Sequence, residues 1–463
     1  MDPFVHYSIR LGFTAKHAAT MRQSGLSHWV KNQFNAPIAE PMPDFLIDAP
    51  KTLDQAREIR KETPENIKRL RKVEAGRLWK LQYWWLQKMF SEEQVLREKM
   101  TLFLHNHFVS SYQKVKLSYL MYEQNQLFRE NAFGNFKELT KKVLHNNAML
   151  IYLDNHQNKL KTPNENLGRE LLELFTLGIG NYSETDISNA AAALAGLAPG
   201  DQGGRYVEKW RNNGMKTLFG KSFPFEVNSL VDEIFLQPAM GKLLAKKLLI
   251  HFISDDPDAA LINKFHQLLV KENFELKPVL TALLNEPAFL NSQGSKIKDP
   301  ITFLLSTAQA LSINKIPPLV AVSFLRQQQF ELFNPPNVKG WDGGRSWLDV
   351  QKLIQRNSFC QFACKGEYPL KSLKRNDTTD DPDVMSRAFS PFSPFFFWNK
   401  NLRNNKEIIQ FVLSQLIFEN AEHLKDDMEE IMKYDFDPSL PGADAAVLRL
   451  VEYCMQTPDY QIS

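Results

Sequence analysis

Apolar residues recur at three- and four-residue spacing from about residue 5 to about residue 360, and no stretch longer than a hairpin alternates with the two-residue period of a strand. A chain patterned this way must bury one helix stripe after another against neighbouring helices, so the sequence predicts an all-α fold, a large multi-helix globular bundle. Two short helices are expected within 8–34, then a Pro37/Pro41/Pro43 loop and a charged helix from Thr52. Aromatic residues on several faces of 77–86 predict a helix enclosed by neighbours. Ser91-Glu92-Glu93-Gln94 has capping-box spacing, which predicts a helix start there and a run to about Val109. Further helices are expected at 113–130, 134–147, 164–177, 184–196, 227–236, 239–253, 257–271, 276–286, 300–312 and 316–330, with Gly178 and Gly196 at helix stops.

Two stretches break the rhythm. Residues 198–225 hold five glycines and Pro224 without helical pattern, which predicts a long irregular loop with room for a short hairpin, and long loops are often functional. Residues 366–398 join a polar tract to an aromatic, proline-bearing one and read as a linker between a main helical domain, 1–365, and a C-terminal helical module, 399–463, packed on the main body. No apolar run reaches the roughly 18 residues of a membrane helix, which predicts a soluble chain without a membrane span. The first residues lack the basic and apolar regions of a secretory signal, an expectation compatible with the cytoplasm. Lys and Arg total 56 against 53 Asp and Glu, a balance that gives no reason to expect nucleic acid. Cys360, Cys364 and Cys454 are too few for a disulfide framework and badly spaced for zinc, so buried thiols are expected.

Three polar clusters carry whatever chemistry the chain has. His105-Asn106-His107 ends a helical run. On a regular helix His107 falls among Leu96, Met100 and Phe103 while His105 falls beside Glu98 and Thr101. Residues two apart diverge by about 200°, so the imidazoles cannot share a metal unless the helix ends before them. In 163–178, Asn166, Glu170 and Glu173 line one strip beside a leucine stripe. Glu170 and Glu173 would serve as an acid/base pair or as ligands of a divalent metal together with His105. The alternative pairs Glu165 and Glu173 with Arg169 and gives Glu170 a buried partner. Lys216 sits in the glycine-rich loop without a P-loop pattern, and the turn-rich 333–348 holds Lys339, Trp341, Asp342 and Arg345 close together, either lining a pocket for a sugar or an anion or plugging one end of the bundle.

These segments together resemble the bacterial family called "domain of unknown function 1800" over nearly the whole chain. The matching pieces are Trp84-Trp85-Leu86, the run from Arg97 to Phe108, Gln124 to Arg129 with Ala132 to Phe136, Asn164 to Gly178, Lys216 to Gly220, Pro335 to Trp341 and the closing Thr457 to Gln461. The resemblance implies no established activity. It implies exported proteins, encoded beside a partner family that looks like alkaline phosphatases and sulfatases, and so an envelope-associated role. The chain departs from the family in the absent signal, in Arg211-Asn212 where a His-Asp pair is usual, and in Leu104 where the family has Trp before His-Asn-His.

Two functions follow as expectations. One is a helical scaffold or partner-binding protein whose polar motifs are buried hydrogen-bond networks. The other is a metal-dependent or acid/base hydrolase acting on a carbohydrate or an anionic substrate. In that second function His105, His107, Glu170 and Glu173 are catalytic, a divalent metal sits on His105, Glu170 and Glu173, and Asn166, Arg169, Lys216, Lys339 and Trp341 bind substrate.

Overall fold

A computed structural model describes residues 2–38, 41–91, 93–366, 393–418 and 421–463. The expected 366–398 linker falls, over 367–392, outside the described residues, and its polar tract with it. The fold is all-α, with two small antiparallel sheets of two strands as the only paired strands described. One large hydrophobic cluster runs from Tyr7 through Tyr460 and draws on nearly every helix, beside a small one of Trp79, Leu319 and Val322.

Helix α1 spans Pro3–Leu11 and α2 spans Pro64–Phe90. Helix α2 opens on Thr63, whose hydroxyl accepts from the Asn66 N–H at 3.2 Å, with Pro64 in the first turn where its missing donor costs nothing. Helix α3, Val95–His107, is the axis of the molecule: every residue from Val95 to His105 is buried, and so is His107. The capping box expected at Ser91 does not form. Ser91 closes α2 instead, its N–H bonding the Lys88 carbonyl, and Gln94 precedes α3 without a side-chain cap. A four-residue pattern cannot say which of two abutting helices its serine serves.

Helix α4 spans Ser118–Glu130 and packs on α2 and α3. Helix α5, Asn166–Glu170, widens directly into a π-helical turn over Leu171–Thr176. Helix α6, Glu184–Leu194, starts at a true capping box of Ser183 and Asp186 and lies so close to α5 that a Cβ on Gly168 would stand 2.8 Å from the Ala191 nitrogen. The loop 198–225 carries two hairpins rather than one: β1 (Leu197–Ala198) pairs with β2 (Arg205–Tyr206), and β3 (Lys216–Leu218) with β4 (Lys221–Phe223). Beyond them come α7 (Pro238–Phe252), α8 (Pro300–Ala310), α9 (Pro318–Gln327) and α10 (Val350–Lys365). The C-terminal helices are α11 (Asn405–Leu416), α12 (Lys425–Met432) and α13 (Ala443–Gln456). Helix α13 lies on α10, and buried Arg356 of α10 donates to Gln461 at 3.2 Å and to the Lys298 carbonyl at 2.9 Å. Cys360, Cys364 and Cys454 are buried, unbridged thiols.

Candidate functional site

The polar residues of α3 leave it in different directions, as they must on a helix turning 100° per residue with neighbours on all sides. Glu98 takes a bidentate ion pair from Arg129 of α4, at 2.6 and 2.8 Å, and a hydrogen bond from the Trp85 indole at 2.9 Å. At the C-terminal end, three consecutive side chains tie three different elements. Asn125 of α4 donates to the His105 Nε2 at 3.0 Å, within a cage of Trp85, Phe128 and Phe333 rings. Asn106 accepts from the Trp341 N–H at 2.7 Å and donates to the Trp341 carbonyl at 3.3 Å. The His107 Nε2 donates to the Phe175 carbonyl at 2.9 Å.

Burial holds both imidazoles well below the ordinary histidine range. Arg129 adds to the effect at His105, and Lys247 does so at His107, where the Phe175 carbonyl opposes it. Both rings are therefore neutral at physiological pH, with Nε2 already engaged. The π turn explains the partners of His107. Its last carbonyls have no helical donors, and the Lys247 Nζ covers Leu174 at 2.8 Å as His107 covers Phe175. Burial pushes the Lys247 ammonium down to about 8.

The acidic strip behaves differently from its α-helical wheel. Arg169 pairs with Glu165 at 3.3 Å, as expected, and with Glu184 at 2.9 Å. Glu173 instead accepts from the Tyr182 hydroxyl at 2.9 Å. Asn166 donates to the Leu153 carbonyl at 3.2 Å and so anchors the start of α5. Glu170 makes no hydrogen bond among the described residues. Its carboxyl is held above the usual range by burial and then by Glu173, against Arg169 and Lys339, which places exposed Lys339 near this strip. Lys216 is buried in β3 with its Nζ on the Asn212 carbonyl. Trp341 is buried and stacks on Phe330, with centroids 4.5 Å apart. Glu170 thus lies within electrostatic reach of Glu173 and Lys339, whereas His105 stays in the core. Among the described residues no three His, Cys, Asp or Glu side chains converge as a metal site. The triad of His105, Glu170 and Glu173 is not assembled, because α3 aims His105 at α4.

A sizeable hollow lies where the sequence showed only a glycine-rich loop. A polar groove of about 720 Å³ opens between residues 52–57, the 156–164 turn and the β1–β2 hairpin. His156, Lys159, Arg205 and Trp210 line it, with the Lys159 ammonium 4.4 Å from the Trp210 ring centroid. Arg57 is matched by Asp54 at 2.8 Å, but Lys159 and Arg205 form no ion pair among the described residues. Arg211, standing where the resembled family has His, bridges Glu208 at 2.9 Å and Glu226 and lies over the Tyr206 ring, so it ties the β1–β2 hairpin to the start of the 227–234 helix beside the groove. The sequence signal for the groove was there: a long loop whose glycines permit close approach, as where a Cβ on Gly196 would stand 2.7 Å from the Arg211 nitrogen.

A family model described as a protein of unknown function, DUF1800, matches residues 6–462. No curated protein and no solved structure matches the chain.

Proposed function

The chain belongs to the DUF1800 family, and from that premise we propose that it is a helical scaffold that binds a partner protein through the polar groove. The observation that carries this reading is the end of α3. His105, Asn106 and His107 are spent on α4, on the 334–347 turn and on the π turn, so the residues that look most catalytic in sequence hold helices in register. The groove supplies the recognition surface. Lys159 and Arg205 suit an acidic segment of the partner, and the partner in view is the phosphatase- or sulfatase-like protein that the family resemblance associates with an envelope system. Arg205→Glu with Lys159→Glu is expected to abolish association with that partner while leaving the melting temperature unchanged. Association that survives the double reversal overturns the reading.

A second reading keeps one observation of its own. Glu170, with its raised carboxyl beside Glu173 and Lys339, has the makings of a general acid for a metal-free hydrolase. Under it Glu170→Gln removes a hydrolytic activity against a carbohydrate or anionic substrate. Under the scaffold reading Glu170→Gln leaves partner binding intact.

A further inference from the structure

Beneath the turn fastened by Asn106 lies a second cavity, of about 250 Å³, on the side of α3 away from His105. Part of its wall is aromatic. Trp341 and Phe330 stack with rings 15° from parallel, and Trp347 packs on the same phenyl ring at 5.3 Å. The facing wall is charged. Lys99 of α3 stands 3.6 Å from Asp299, which caps α8, and Lys296 pairs with Asp255. Asp342 lies exposed at the rim and has no ion-pair partner among the described residues.

Two residues lining this cavity each carry a ring nitrogen that is shielded from solvent and has no hydrogen-bond partner among the described residues: the His251 Nε2 and the Trp341 Nε1. Trp341 is only 5% exposed, and its indole N–H meets no acceptor among the described residues. Buried polar groups are satisfied in folded proteins, and an orphan pair on one cavity wall points to a ligand that satisfies them. His251 is neutral, because burial and then the Lys99 and Lys296 cations hold it well below the usual range, and its ring already pairs with the Lys99 backbone, which leaves Nε2 to accept.

The charge pattern selects the ligand. Two lysines face three carboxylates, Asp255, Asp299 and Asp342, and the Arg10 guanidinium stands within electrostatic reach of Asp255 and Asp299, so the charges balance and an anion gains no net attraction. A bare cation meets Lys99 and Lys296, and no three metal ligands converge among the described residues. A neutral ring bearing hydroxyls meets none of these objections. A hydroxyl oxygen accepts from an indole N–H, and a hydroxyl donates to the free nitrogen of a neutral imidazole or to a carboxylate, while the ring C–H face lies on aromatic carbon.

We propose that the cavity between Trp341, His251 and Asp342 binds a single neutral sugar ring. This site is separate from the partner groove and stands or falls independently of it. The test is saturation-transfer difference NMR on the full chain with D-glucose, D-galactose and N-acetyl-D-glucosamine, one at a time. At least one of them is expected to receive saturation on its ring protons and to titrate with a millimolar Kd. Asp342→Ala, at an exposed position, should weaken that binding at least tenfold with no change in melting temperature. Trp341→Phe, which keeps the stack and deletes the N–H, should weaken it as well, while Arg205→Glu should not. Silence from all three sugars, equal binding by Asp342→Ala, or displacement of the sugar by inorganic phosphate overturns the proposal.

Discussion

Gly340 and Asn106 form a coupled pair whose energetics test the clasp directly. Gly340 holds φ at +90°, and a Cβ there would stand 2.2 Å from the Asn106 Oδ1, the atom that accepts the Trp341 N–H. Gly340→Ala therefore costs about 1 kcal/mol for the left-handed backbone. It must also evict the Asn106 amide, which loses two hydrogen bonds at about 1 kcal/mol each, for a total of about 3 kcal/mol. Asn106→Ala loses the same two bonds, about 2 kcal/mol, and removes the side-chain clash at 340, leaving the 106 carbonyl oxygen 3.0 Å from the added Cβ. The double variant should then cost about 3 kcal/mol rather than the additive value of about 5, a coupling of about 2 kcal/mol. Urea unfolding followed by far-ultraviolet circular dichroism and by tryptophan fluorescence measures each corner of the cycle, provided the two transitions coincide. Costs that add to within about 0.5 kcal/mol would show that residue 340 is not pressed against the amide and would refute the reasoning.

Three further outcomes are expected. His107→Leu removes the donor to the Phe175 carbonyl and should lower stability by about 1–3 kcal/mol, while His107→Gln, which keeps an N–H, should recover part of that in the same urea assay. Burial, with Arg356 adding, pushes Lys298 down to about 7. The unfolded chain keeps that proton up to about 10.4, so stability should rise with pH between those values, and in Lys298→Met the rise of melting temperature from about pH 7 to pH 9 should flatten. Glu170 has the opposite sign. Its raised carboxyl favours the folded state below the unfolded pKa and loses that advantage as pH climbs through the folded one, so Glu170→Gln should gain on wild type in melting temperature between about pH 4 and pH 7.

What the sequence revealed divides along the range of the interactions involved. Helix periodicity is local, so α3 to α9 stand close to where the apolar pattern puts them, while the break at Thr63 before α2 and the helix α10 were not expected, and the divergence of His105 from His107 follows from 100° per residue alone. The capping box failed because Ser91 satisfies the pattern while closing the preceding helix. The pairing of Glu173 with Arg169 failed for a different reason. The π turn begins at Leu171, between the two, and a ladder of i to i+5 bonds carries Glu173 off the α-helical line and toward Tyr182. Asn106 offered no local sign of its role, because its partner is 235 residues away. The groove and the Trp341 cavity are likewise assembled from segments distant in sequence, and only the loops that wall them were legible as loops.

The end of α3 shows why a motif can look catalytic and be mechanical. A buried helix that finishes inside the core must satisfy its surroundings with short side chains carrying directional donors and acceptors, and His and Asn are what such a place requires. Those are also the residues of acid/base sites, and the distinction lies in access. Here each imidazole is neutral and already bonded through Nε2, so it has neither a proton to exchange with solvent nor a free face for a substrate. The His107 Nδ1 is also without a partner, but it is sealed in the core, whereas Glu170 with its raised carboxyl is half-buried and the orphan nitrogens of His251 and Trp341 belong to residues that line a cavity. If the clasp is mechanical, loosening it should degrade binding at the Trp341 cavity in proportion to lost stability. A variant of Asn106 that abolishes sugar binding at full stability would place Asn106 in the site itself.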